Sequence, residues 1–197
     1  MTTAGVIGET VSALPSGAFI RSKDLPGPRT AVDMALSRLA SPTGPLVRVS
    51  NGVYWKGLSS RFGKGRPSSL DAALNIAGRG AGPAGWSALN YLGLTTQVPA
   101  TLHIATVGRK PQILSTRISI RSNLDRVDLA PAEIAILEVL RDEWSALIDG
   151  GLPALRNVID EFAKKNSINL ARLEGAVTSE RKPKVREHWR TLGFVIR

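Results

Sequence analysis

The chain has no cysteine among its 197 residues. That excludes disulfides and thiolate metal sites and agrees with a reducing compartment such as the cytoplasm. It has only two histidines, His103 and His188, and no carboxylate or hydroxyl motif frames either one, so both read as structural. No apolar run approaches the ~18 residues needed to cross a bilayer. The opening residues lack the charged start and continuous apolar middle of a signal peptide, so none is expected. Neither G-x-x-x-x-G-K-[ST] nor G-x-S-x-G occurs. Gly80, Gly82 and Gly85 satisfy G-x-G-x-x-G by letter, but no strand is expected before them and Pro83 removes an amide that a phosphate would use, so the stretch reads as a loop. Asp160, Glu161 and Lys164 resemble a nuclease-like acidic cluster, yet they fall on the polar side of an amphipathic helix, where such charges are routine. No enzyme is expected on these grounds, and no cofactor or metal is implied.

Acidic residues are scarce in the first two thirds of the chain. Residues 1–66 hold nine Lys/Arg against three Asp/Glu, net +6, residues 67–123 hold five against one, net +4, and residues 124–197 hold twelve of each. The whole excess of +10 therefore lies ahead of the last third, as suits a front that binds a polyanion through counterion release and a tail free to pack on itself or on another protein. A basic bias inherited from genomic base content is the alternative source of this charge. Apolar residues make up 43% of the chain, enough for a packed core, and the length fits a small module joined to a larger one.

Ile7, Val11 and Leu14 recur at helical spacing, which predicts a helix over residues 4–14 that Pro15, Ser16 and Gly17 stop. A short apolar stretch, Ala18 to Ile20, precedes a one-turn helix capped by Ser22. Pro28 suits the first turn of a further helix over 28–40, with Val32, Ala35, Leu36 and Leu39 as its apolar stripe. Leu46 to Val49 and Val53 to Trp55 flank Asn51-Gly52, a hairpin signal because both residues tolerate the positive φ of a type I′ turn. Helix, strand, short helix, longer helix and hairpin make a winged helix-turn-helix over residues 1–62. The Gly-rich basic run Arg61 to Ser69 reads as a linker, and residues 63–197 as a second domain of mixed strands and helices ending in helices, so the fold class is α+β. In that domain helices are expected over 70–78 and 86–92, and strands at Thr101 to Val107 and from Thr116. Two helical stripes follow, Ile134, Leu137, Leu140, Trp144, Leu147 and then Leu152, Leu155, Ile159, Phe162, with further helices after Asn169 and from Pro183.

In a helix-turn-helix the second helix enters the major groove and its opposite face anchors to the core. The apolar stripe turns Thr30, Met34 and Ser37 outward, with Asp33 and Arg38 on the flanks and Arg29 at the start. Arg29 and Arg38 suit guanine or phosphate, Thr30 and Ser37 suit bases or backbone, and Asp33 either accepts from cytosine N4 or pairs within the helix with Arg29 or Ser37. A type I′ register sets Arg48 opposite Trp55, as a cation–π pair or with Trp55 covered by the second domain, and Val49 opposite Tyr54. Asn51 at the tip and Lys56, Arg61, Lys64 and Arg66 beyond it extend the positive surface, as a backbone-tracking arm or as a solvated linker.

"GAFIRSKDL" at 17–25, "AVDMALSRLA" at 31–40, "LVRVSNGVYWKG" at 46–57, "GWSALNYLGL" at 85–94 and "TLHIATV" at 101–107 resemble the AbiEi family of antitoxins. The resemblance fades after about residue 110. It implies an N-terminal winged helix that binds double-stranded operator DNA and represses its own operon, and a C-terminal domain that counters a nucleotidyltransferase-like toxin of the AbiEii type, in phage defence. Two other readings stand beside it: a stand-alone regulator whose last third senses a ligand or dimerises, and a nucleic-acid enzyme without a legible active site.

Overall fold

The computed structural model describes residues 2–57, 59–61, 63–142 and 150–195. The chain is α+β and divides into two compact units, Met1–Ile76 and Ala77–Arg197. Among the described residues no helix is long and apolar enough to cross a membrane.

In the first unit, helix α1 (Thr3–Ala13) starts where the Thr2 hydroxyl accepts from the Gly5 amide and buries Ile7 and Val11. Strand β1 (Phe19–Arg21) leads into a 3-10 turn, Ser22–Asp24, and then helix α2 (Arg29–Leu39), which buries Val32, Ala35 and Leu36 as its stripe requires. Ser22 does not cap that turn. It is buried, and its amide donates to the Gly52 carbonyl at 2.9 Å. Strands β2 (Leu46–Ser50) and β3 (Val53–Lys56) form the hairpin, and β1 joins on the β3 side, giving the sheet order β1-β3-β2. Tyr54, 2% exposed, reaches from β3 into the core made by α1 and α2.

The hairpin is present but its register differs from a type I′ hairpin. Arg48 lies opposite Tyr54 and Val47 opposite Trp55, with the register shifting between Arg48 and Ser50. Val49 is the extra residue of a bulge, which bends the strand and moves every later partner by one. Gly52 alone carries the left-handed φ, +71°, since among described non-glycine residues only Ser115 and Asn166 have positive φ. Of the two readings of Trp55, the cation–π pair with Arg48 gives way to bonds within the first unit. Trp55 Nε1 donates to the Gly17 carbonyl at 3.0 Å, and Trp55 pairs with Phe19 across β1.

Lys56 turns away from the hairpin tip. Its ammonium donates to the carbonyls of Val11, Ser12 and Leu14 at 2.9, 2.9 and 2.6 Å, closing the C-terminal end of α1. Replacing Lys56 with methionine keeps the stem and removes these charge-assisted bonds. A loss of about 2 kcal/mol is expected, read as a lower urea midpoint with unchanged slope. The expected linker is partly structured: β4 (Ser59–Ser60) pairs with β5 (Gly63–Lys64), and Lys64 Nζ donates to the Ser41 carbonyl at 2.8 Å. These bonds tie the segment to the first unit, and the division between units falls later, near the end of helix α3 (Ser69–Ala77).

The second unit carries a three-stranded sheet of order β6-β7-β8: Gly82–Pro83 antiparallel to Leu102–Val107, and the latter parallel to Thr116–Arg121. Where a plain loop was expected, Gly82 belongs to β6. A Cβ there would stand 2.5 Å from the Ile134 Cβ, so the glycine is what lets this strand approach the core. Helix α4 (Gly85–Tyr91) and helix α5 (Pro131–Arg141) pack around the sheet, and α5 is buried from Ala132 to Leu140. Helices α6 (Gly151–Lys164), α7 (Leu170–Ser179) and α8 (Pro183–Thr191) complete the unit with Leu155, Ile159, Leu173, Val185 and Trp189 in its core. Trp144 and Leu147 of the expected α5 stripe lie outside the described residues.

Three buried carboxylates, Glu133, Glu138 and Glu180, hold this unit together. Glu133 accepts from the Ala130 and Asn169 amides, both at 2.6 Å, so one side chain stops α5 at its start and ties down the start of α7. Glu138 accepts from Arg121 and, at 2.7 Å, from Arg126, a residue of the 3-10 turn Leu124–Asp128 with no exposed surface. Arg126 also donates to Glu180 at 2.6 Å, and Arg141 bonds the same carboxylate.

Candidate nucleic-acid interface

The outward face of α2 and the hairpin enclose a groove of about 410 Å³ lined by Arg29, Asp33, Met34, Ser37, Arg48, Asn51, Gly52 and Tyr54. Six of these were singled out from sequence. Met34 is 58% exposed, so its side chain is accessible at the surface of the groove. Tyr54, which packs inward as the sequence pattern predicts, makes the floor of the groove.

The walls are set by two short bonds. Arg29 Nε donates to Asp33 Oδ2 at 3.0 Å along one turn of α2, and Arg48 Nη2 donates to Asn51 Oδ1 at 2.6 Å across the hairpin bend. Of the two readings of Asp33, pairing with Arg29 is the one observed. The Arg29 hydrogen bond holds the Asp33 carboxyl below its usual range, so it stays ionised at neutral pH. The hairpin tip reaches this pair. A Cβ on Gly52 would stand 2.7 Å from Ser22 Oγ and 3.2 Å from Arg29 Nη2, a closeness that only glycine permits at a positive φ.

Thr30 and Arg38 are exposed on α2 but do not line the groove. Lys56 and Lys64 are withdrawn from any ligand by their carbonyl partners, and neither belongs to the groove. Arg61 lies at the turn between β4 and β5, and Arg66 in the extended stretch that follows, both exposed.

A family model matches residues 7–170, that of a family of unknown function, DUF6088. The chain belongs to the DUF6088 family. No curated protein matches it in sequence. Among solved structures it is similar to the crystal structure of the RV2827C protein from Mycobacterium tuberculosis, at 16% identity and a TM-score of 0.45, covering 98% of this chain and 76% of that one.

The residues weighed as catalytic in this DUF6088 chain have local partners. His103 Nε2 is 2.9 Å from Ser119 Oγ, and burial followed by the charge of Arg117 lowers its pKa, so the ring is neutral at pH 7. His188 Nδ1 is 2.9 Å from the Leu140 carbonyl. Asp160 pairs with Arg156 and Glu161 with Lys165, each one helical turn apart. No cluster of three His, Asp or Glu suited to a metal occurs among the described residues. A larger concavity in the second unit, about 730 Å³, is lined by Lys110, Gln112 and Thr116 together with Pro111, Ile113, Leu114 and Ile118.

Proposed function

We propose that this chain is a DNA-binding repressor whose first unit is a winged helix-turn-helix, with α2 entering the major groove and the β2–β3 hairpin as its wing. The supporting observation is the groove itself, where outward residues of α2 and residues of the hairpin bend share one basic concavity while the opposite face of α2 is anchored in the core. The sequence resemblance extends the proposal: the protein is an antitoxin that represses its own operon, and its second unit counters a nucleotidyltransferase-like toxin in the cytoplasm. Binding to duplex DNA from its own promoter is the test. With about four phosphate contacts, affinity should fall about a hundredfold between roughly 50 and 200 mM salt. Binding that is absent, or indifferent to salt, would contradict the DNA-binding reading. Co-purification with the product of the neighbouring gene tests the antitoxin extension, and a second unit that neither binds nor neutralises that product leaves a stand-alone regulator.

A further inference from the structure

Resting on the DNA-binding reading, we propose that the groove is a two-armed guanine reader. Arg29 and Arg48 each grip a guanine edge in the major groove, and Asp33 and Asn51 act as positioning residues that hold the two guanidiniums ready.

An arginine that reads guanine must present two N–H groups to O6 and N7 together. A solvated arginine has that fork available but samples many rotamers, and the loss of side-chain entropy opposes holding it still. Both groove arginines are already held. Arg29 spends its Nε on Asp33 and is flanked by Gly52, so its two terminal nitrogens remain as the fork. Arg48 spends one N–H on Asn51. Each keeps four of the five guanidinium donors. Both line one groove, Arg29 from the helix and Arg48 from the hairpin, and exposed Met34 lines it with them as an apolar side chain of the kind that meets a thymine methyl.

The buttresses separate this role from simple attraction to phosphate. Asp33 cancels part of the charge that would draw Arg29 to any backbone, so it lowers non-specific binding while favouring one orientation. Asn51 orients Arg48 without changing the charge. Asp33→Asn should therefore strengthen binding to random duplex and shrink the ratio of specific to random affinity about tenfold. Asn51→Ala should shrink the ratio about as much with random binding unchanged. A residue that only supported the fold would weaken both affinities together.

The experiment is selection by the full chain from a library of random-sequence duplexes, repeated with Arg29→Ala and Arg48→Ala. The wild type should enrich a site with two required guanines, each variant should lose the requirement at a different one, and 7-deazaguanine at either position should cost the wild type about tenfold but leave the matching variant unaffected. An enriched site that keeps both guanine requirements in the variants, or that is indifferent to 7-deazaguanine, overturns the guanine reader and leaves DNA binding standing. No enriched site and no duplex binding overturns the DNA reading itself and this inference with it. The 7-deazaguanine arm changes only the DNA, so the result does not depend on how a variant folds.

Discussion

Glu138→Ala should destabilise the second unit by about 3–5 kcal/mol, the largest effect expected of any single substitution described above. Removing the carboxylate leaves Arg126, which has no exposed surface, with only Glu180 to balance it, and strips Arg121 of its partner. A buried guanidinium that loses one of its two carboxylates costs more than the same pair removed together. Arg126→Met with Glu138→Leu should therefore recover most of what the single change loses. Calorimetric or urea unfolding of the three proteins decides this. A loss below about 1 kcal/mol for the single change would mean that the network is solvated. The same carboxylate makes stability depend on pH. Burial pushes the Glu138 pKa up, but the Arg121 hydrogen bonds and the nearby Arg126 charge outweigh it, so the folded value lies below that of an ordinary glutamate. A depressed folded value contributes stability above the unfolded pKa, about 4.3, and that contribution disappears as pH falls through the folded value. The stability gap between wild type and Glu138→Gln should be flat near neutrality and narrow below about pH 4.

Met34→Glu should reduce affinity for duplex DNA about a hundredfold or more at low salt while barely moving the unfolding midpoint. The side chain is already 58% exposed at mid-helix, so a carboxylate there disturbs no core contact. It would add a negative charge to the groove that Arg29 and Arg48 line and repel phosphate there. The matched control is Lys64→Met, which removes a bond to the Ser41 carbonyl and should cost stability rather than DNA affinity measured on the folded protein. Equal affinity for Met34→Glu and wild type would place the DNA surface elsewhere.

The contrast between Met34 and Lys64 shows which features were legible from sequence. The outward face of α2 was legible because eleven residues with three buried positions fix the rotation of the helix about its own axis. Proline and glycine punctuation likewise gave nearly all the helices and the two longer strands of the second unit. Features that depended on distant partners were not legible. Lys56 finds its carbonyls more than forty residues earlier in the chain, and Lys64 more than twenty, so both looked like spare surface cations. Arg126, Glu138 and Glu180 are spread over 54 residues, and nothing local distinguishes them from solvated charge. The Asn51-Gly52 bend was clear, but the bulge at Val49 answers to packing across the sheet rather than to the turn pair. That single residue changed the partner of Arg48 from Trp55 to Tyr54.

Amide hydrogen exchange on the full chain, with and without the duplex enriched by selection, tests most directly whether helix α2 and the hairpin together receive DNA. Slowed exchange should appear along residues 29–38 and 47–53 at saturating duplex and be absent at high salt. Protection confined to residues 150–195, with α2 and the hairpin exchanging as they do in the free protein, would contradict it.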